Sequence, residues 1–87
     1  MKYILEYQKR AYIEDLPALS HEIRLRIKND IDKKLLTYPE KYGKPLRKSL
    51  KGAYKLRVGN YRVLFRIEGN IVKIFAIKHR SVVYNEI

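Results

Sequence analysis

Cysteine does not occur in this chain, which excludes disulfides and thiolate metal sites. Histidine occurs twice, at His21 and His79. The two lie too far apart for zinc-type spacing, so no metal site is expected. No apolar run approaches the ~20 residues that cross a bilayer. The opening residues lack the apolar stretch and small-residue cleavage site of a secretory signal. A cytoplasmic protein with no membrane partner is therefore the expectation. There is no Gly-rich phosphate loop, no paired catalytic carboxylates and no Ser/His/Asp set, so no cofactor is expected. Acid is scarce: nine Asp and Glu stand against twenty Lys and Arg, a net charge of +11.

That charge is uneven. Residues 1–43 hold nine basic and seven acidic side chains; residues 44–87 hold eleven and two. A field of this sign favours polyanions, either nucleic acid or an acidic protein. Eighty-seven residues support one core, so 1–87 is read as a single domain.

The most informative stretch is Tyr54 to Lys78. Gly59-Asn60 and Gly69-Asn70 each interrupt residues rich in Val, Ile, Tyr and Phe. Gly takes φ > 0 at the first position of a two-residue hairpin turn, so three antiparallel strands are predicted: 53–58, 61–68 and 71–78. The first turn places Val58 opposite Tyr61, Arg57 opposite Arg62, Leu56 opposite Val63 and Lys55 opposite Leu64. With a period of two, Tyr54, Leu56, Val58, Tyr61, Val63, Phe65 and Ile67 share a core face. Lys55, Arg57, Arg62 and Arg66 share the other. Like charges directly opposite across a ladder cost a few tenths to about 1 kcal/mol. A phosphate between Arg57 and Arg62 would turn that repulsion into charge-assisted contacts. The same alternation also fits the solvated face of a half-buried sheet.

Residues 2–7 alternate and read as a strand beside the hairpins. Residues 9–16 read as one or two helical turns with Ala11, Tyr12 and Leu16 inward, stopped by Pro17. Ser20 reads as an N-cap. Ile23, Ile27, Ile31 and Leu35 form one stripe of a helix from about 20 to 37, ending before Pro39. Leu25 and Leu36 fall off that stripe: Leu25 is a candidate partner contact, and Leu36 is placed beneath the following loop. Residues 38–53 read as a basic loop. Its Lys44, Arg47, Lys48 and Lys51 extend the cationic field as RNA-binding candidates, with Arg66 on the sheet. In the tail, a regular second hairpin would set Arg62 opposite Ile77. His79 and Arg80 then emerge beside the first turn, with Tyr84 near enough to fold over the cationic face.

The order strand, helix, helix, basic loop, then YKLRVGNYRVLFRI and IKHRSVVY, resembles the RelE branch of the RelE/ParE toxin superfamily. The resemblance spans nearly the whole chain. It rests on Tyr54-Lys55-Leu56-Arg57, Asn60-Tyr61-Arg62, and His79-Arg80 through Val83-Tyr84. It implies an α+β fold: an antiparallel sheet of about four strands, one N-terminal and three in a C-terminal meander, with two or three helices packed on one face. It implies a ribosome-dependent mRNA endoribonuclease acting in the decoding site. It also implies a toxin that is monomeric when free and heteromeric with a cognate acidic antitoxin.

By the same resemblance, Arg62 binds the scissile phosphate and Lys55 and Arg57 flank it. Tyr84 lies near the nucleotide and takes the 2′-OH proton. Arg80 and His79 lie near the leaving 5′-oxygen, Arg80 to bind phosphate and His79 as a candidate general acid. Arg57 stands where some members carry lysine, which weakens proton transfer there. Two alternatives stay open: a ParE-type inhibitor of DNA gyrase, and an RNA or ribosome binder that blocks translation by occupancy.

Overall fold

The computed structural model describes residues 2–46 and 52–82. Five strands form one mixed sheet: β1 (Ile4–Tyr7), β2 (Lys44–Pro45), β3 (Ala53–Val58), β4 (Tyr61–Glu68) and β5 (Ile71–His79), in the spatial order β1-β5-β4-β3-β2. The α+β class expected from the sequence holds, with two differences of detail. The N-terminal strand pairs parallel to β5, Ile4 with Ile71 through Tyr7 with Ile74. Lys44-Pro45 adds a short fifth strand against β3. Proline is admissible there because β2 is an edge strand, where a missing N–H breaks no inner ladder.

Both Gly-Asn turns form. Gly59 and Gly69 take φ of +60° and +62°, the left-handed values the hairpins require. The first hairpin has the predicted register, Val58 with Tyr61 through Lys55 with Leu64. The second does not. A β-bulge between Leu64 and Phe65 shifts the pairing by one, so Arg62 lies opposite Lys78, not Ile77. The cause is in the core. Val72, Ile74 and Ile77 are all buried in one cluster, and a strict period of two cannot bring 74 and 77 to one face. The extra residue of the bulge changes the phase between them.

The helix α1 (His21–Lys34) begins at Ser20, whose hydroxyl accepts from the Ile23 N–H at 3.3 Å. Ile27, Ile31 and Leu35 are fully buried and pack with Leu56, Val58, Val63 and Phe65 across the sheet. Leu25 is off the stripe and exposed, and Leu36 is half-buried. The helix ends three residues before the predicted 37, at the Leu35 C-cap. The predicted loop 38–53 contains a one-turn helix, α2 (Pro39–Tyr42), before β2. On the far side of the sheet, a small second cluster joins Leu46, Ala53 and Leu64 to Phe75 and Ala76.

The predicted helical turns at 9–16 include a π-helical turn, Ala11–Asp15. Ala11 and Leu16 point inward as expected, but Tyr12 is exposed and Asp15 is buried in its stead. β1 covers β5 only as far as Ile74, where Gln8 N–H still donates to the Ile74 carbonyl at 2.9 Å. Beyond it the edge of β5 would be bare. Asp15 closes that edge: its Oδ2 accepts the Ile77 N–H at 2.9 Å. Edge strands that are neither paired nor covered invite association with other chains. The π turn is thus a local cover for the end of β5.

Candidate nucleic-acid interface

Antiparallel partners project to the same face, so the observed register puts Lys44, Lys55, Arg57, Arg62, Arg66, Lys73 and Lys78 on the sheet face opposite α1. Three of them form a row across the strands: Arg57 on β3, Arg62 on β4, Lys78 on β5. The expectation that Lys55, Arg57 and Arg62 share one face is met. Lys78 was not anticipated. Lys73 and Lys78 are an odd number of residues apart, so a regular strand would put them on opposite faces, and it is the bulge that brings both to this one.

The members differ in how they are held. Arg57 is exposed and, among the described residues, makes no hydrogen bond or ion pair. Lys44 is exposed at the edge and Lys55 is half-buried. Arg62 is only 1% exposed. Its Nη1 donates to the Gly59 carbonyl at 3.1 Å and to the Tyr61 carbonyl at 2.9 Å. It is therefore a clamp on the first turn as well as a cation, a role that alternation alone does not reveal. Its neighbours on the ladder are cations on both sides, and its hydrogen bonds go to neutral backbone carbonyls. Arg66 lies over the Phe75 ring, 4.8 Å from its centroid, and Lys73 pairs with Glu68 at 3.1 Å. Lys78 Nζ pairs with Asp15 Oδ1 at 2.9 Å.

The end of β5 returns to the first turn, as expected. Arg80 N–H donates to the Asn60 carbonyl at 2.7 Å, which brings the start of the tail to the Gly59-Asn60 end of the cationic row. His79 packs edge-on against Tyr61, with ring centroids 5.4 Å apart. Its Nδ1 lies 3.0 Å from the Ser81 hydroxyl and accepts the Ser81 N–H at 3.3 Å. With Nδ1 an acceptor, a neutral ring carries its proton on Nε2. His79 thus makes the strand-end hydrogen bond of a structural histidine. Tyr84 and the loop cations Arg47, Lys48 and Lys51 lie outside the described residues. Among the described residues no cluster of His, Asp or Glu fits a metal ion, and no helix is long and apolar enough to cross a membrane.

A rigid surface of this kind suits a phosphodiester. Fixed cations aimed at phosphoryl oxygens stabilise the extra negative charge of a pentacoordinate transition state, and such terms are typically worth several kcal/mol. The row offers Arg57 and Lys78 at the surface with the buried Arg62 between them, and among the described residues Asp15 is the acid paired with it.

Comparison with known proteins gives one family match, two related sequences and two related structures. The family profile described as ParE toxin of the type II toxin–antitoxin system parDE matches residues 5–84. Toxin RelE of Mycobacterium tuberculosis is 36% identical over 72 residues, covering 80% of this chain and 74% of that toxin. Toxin RelG of the same organism is 44% identical over 48 residues, which is 53% of this chain and 55% of RelG. Among solved structures, the toxin–antitoxin complex RelBE2 of M. tuberculosis superposes with a TM-score of 0.85 at 32% identity, covering 92% of this chain and all of the matched one. A double arginine-to-alanine mutant of free Escherichia coli toxin RelE gives a TM-score of 0.73 at 26% identity, covering 99% and 94%.

Proposed function

The chain belongs to the RelE/ParE superfamily of toxins from type II toxin–antitoxin systems, and on that premise we propose that it is a ribosome-dependent mRNA endoribonuclease. The observation that carries the proposal is the row Arg57–Arg62–Lys78, with Arg80 tied to the turn at its end. In the reaction the ribose 2′-oxygen forms a bond to phosphorus and the bond from phosphorus to the 5′-oxygen breaks. The 2′-OH proton passes to a base and a proton is delivered to the leaving 5′-oxygen. The products are a 2′,3′-cyclic phosphate and a 5′-OH.

In this reading Arg57 and Lys78 meet the non-bridging oxygens, Lys55 flanks them, and Arg62, buried between the two, supports the scissile phosphate with its charge from beneath the row. Arg80 stabilises charge near the leaving oxygen. Tyr84 takes the 2′-OH proton; a free phenol has pKa about 10 and needs nearby cations to serve at neutral pH. His79 is left in its hydrogen bond to Ser81. Lys44, Arg47, Lys48, Lys51 and Arg66 extend the RNA-binding surface. The partners are mRNA in the ribosomal decoding site and, in the resting complex, an acidic antitoxin. The charge of +11 and the RelBE complexes among the structural relatives support that second partner.

A second reading is favoured by one specific finding, that the matching family profile is described as ParE: inhibition of DNA gyrase without nuclease chemistry. Primer extension on mRNA in a translating extract separates the two. Cuts phased to ribosomes in the wild type, lost in Arg62→Ala, are the expected result. Intact message beside gyrase-dependent DNA breaks would replace the nuclease with the gyrase inhibitor. Intact message under translation arrest would leave only occupancy.

A further inference from the structure

Asp15 is a buried acid on the π turn, and its two oxygens do different things. Oδ2 is fixed by the Ile77 N–H, and Oδ1 meets Lys78 Nζ, each at 2.9 Å. The Asp15 side chain is 4% exposed while that of Lys78 keeps 27%. The carboxylate is therefore anchored to the backbone, whereas the ammonium still has one side open to solvent. Lysine is a flexible point charge on a four-carbon stem, and without a fixed partner its ammonium would sweep a wide volume. We propose that Asp15 is a positioning residue, which locks the Lys78 ammonium at the β5 end of the cationic row so that it meets the scissile phosphate without reorganising. This rests on the nuclease reading for its consequence, though not for the geometry.

Asp15 is an acid beside a surface that binds a polyanion. As a bystander, its loss would leave RNA binding unchanged or strengthen it. As a positioning residue, its loss lowers turnover while binding does not weaken.

The test uses Asp15→Asn, whose amide oxygen still accepts the Ile77 N–H and so keeps the edge of β5 closed. Lys78→Met removes the charge and keeps the stem. Single-turnover cleavage of ribosome-bound mRNA is measured for wild type, each variant and the pair. Misplacing a reacting group by about 1 Å costs on the order of a hundredfold; a loosened but present ammonium is expected to lose roughly tenfold in kcat with KM unchanged or lower. In the Lys78→Met background, Asp15→Asn is expected to change the rate less than about twofold, because its effect passes through Lys78. An equal loss in both backgrounds, or a raised KM with kcat kept, overturns the proposal.

The lysine ammonium spectrum of 15N-labelled protein supplies a readout that does not depend on cleavage. One hydrogen-bonded ammonium signal should vanish in Lys78→Met and broaden into exchange with water in Asp15→Asn. A signal unchanged in Asp15→Asn shows that the carboxylate does not hold Lys78 and also overturns the proposal. If the wild type does not cut ribosome-bound message, the nuclease reading falls, and the ammonium spectrum alone decides the positioning.

Discussion

Replacing Arg62 by alanine separates the clamp on the first turn that the structure shows from the phosphate role proposed for this side chain. Arg62 is buried and its Nη1 joins the carbonyls of Gly59 and Tyr61. Hydrogen bonds from a charged donor contribute roughly 1.5–3 kcal/mol each when buried. Against that stands relief of repulsion from the cross-strand partners Arg57 and Lys78, a few tenths to about 1 kcal/mol for each pair. The difference leaves Arg62→Ala destabilised by about 3 kcal/mol. A domain of this size starts from roughly 5–15 kcal/mol, so even the low end leaves more than about 95% folded.

Activity behaves differently. Loss of one transition-state donor costs on the order of a hundredfold or more in rate. For unfolding alone to mimic a hundredfold loss, only about 1% of the protein would remain folded, which requires unfolding to become favourable by roughly 2.7 kcal/mol at about 1.4 kcal/mol per tenfold. Guanidinium denaturation and single-turnover cleavage on the same preparation therefore divide the two effects. Arg62→Lys adds a control, because an ammonium keeps the charge but lacks the fork that reaches two carbonyls. An unmoved denaturation midpoint in Arg62→Ala would refute the clamp. A well-folded Arg62→Ala that cuts within a few-fold of wild type would refute the phosphate role.

Two further outcomes test the packing and the ionisation of the fold. Gly43 has an ordinary φ of −84°, so backbone freedom is not why glycine stands there; a Cβ would run into the Phe65 ring and lie 2.9 Å from the Pro39 carbonyl. Gly43→Ala is expected to lower stability by about 1–3 kcal/mol, the usual range for overpacking, and a midpoint equal to wild type would dismiss the clash. Tyr7 is pushed up to about 12, first by burial and then by the negative charge of Asp32. An unfolded tyrosine ionises near 10, so the unfolded chain loses its proton first. The contribution of Tyr7 is fully present below pH 10 and is lost as pH rises towards 12. Stability measured from pH 9 to 12 should thus fall more steeply in wild type than in Tyr7→Phe; parallel profiles would count against it.

Much of this architecture is legible in the residues because the controlling signals are local. The Gly-Asn pairs set both turns, and the four-residue spacing of Ile23, Ile27, Ile31 and Leu35 sets the helix face. What escaped depends on partners distant in sequence. Ile74-Phe75-Ala76-Ile77 is apolar throughout, so alternation shows no break where the bulge falls, and only the burial of both Ile74 and Ile77 shows the change of phase. Asp15 carries no mark of its role, since the strand edge it closes exists only after β1 and β5 have paired. Arg62 looks like any outward cation of an amphipathic strand, and its clamp depends on carbonyls freed by the turn it holds. Lys44-Pro45 has too few residues and the wrong composition to announce a strand.

The fold itself is neutral between the two activities that the superfamily resemblance offers, since a sheet with helices on one face serves either. The opposite face is not neutral. A row of three cations across adjacent strands opposes its own assembly, and such a local conflict persists where function requires it. The bulge strengthens this argument. It serves the core by turning both Ile74 and Ile77 inward, and the same phase change brings Lys78 beside Arg62. A phase without the bulge would have placed Ile77 there, leaving an apolar gap at the β5 end of the row. Packing on one side of the sheet and charge on the other are set by a single extra residue, so a core requirement and a candidate phosphate site are satisfied together.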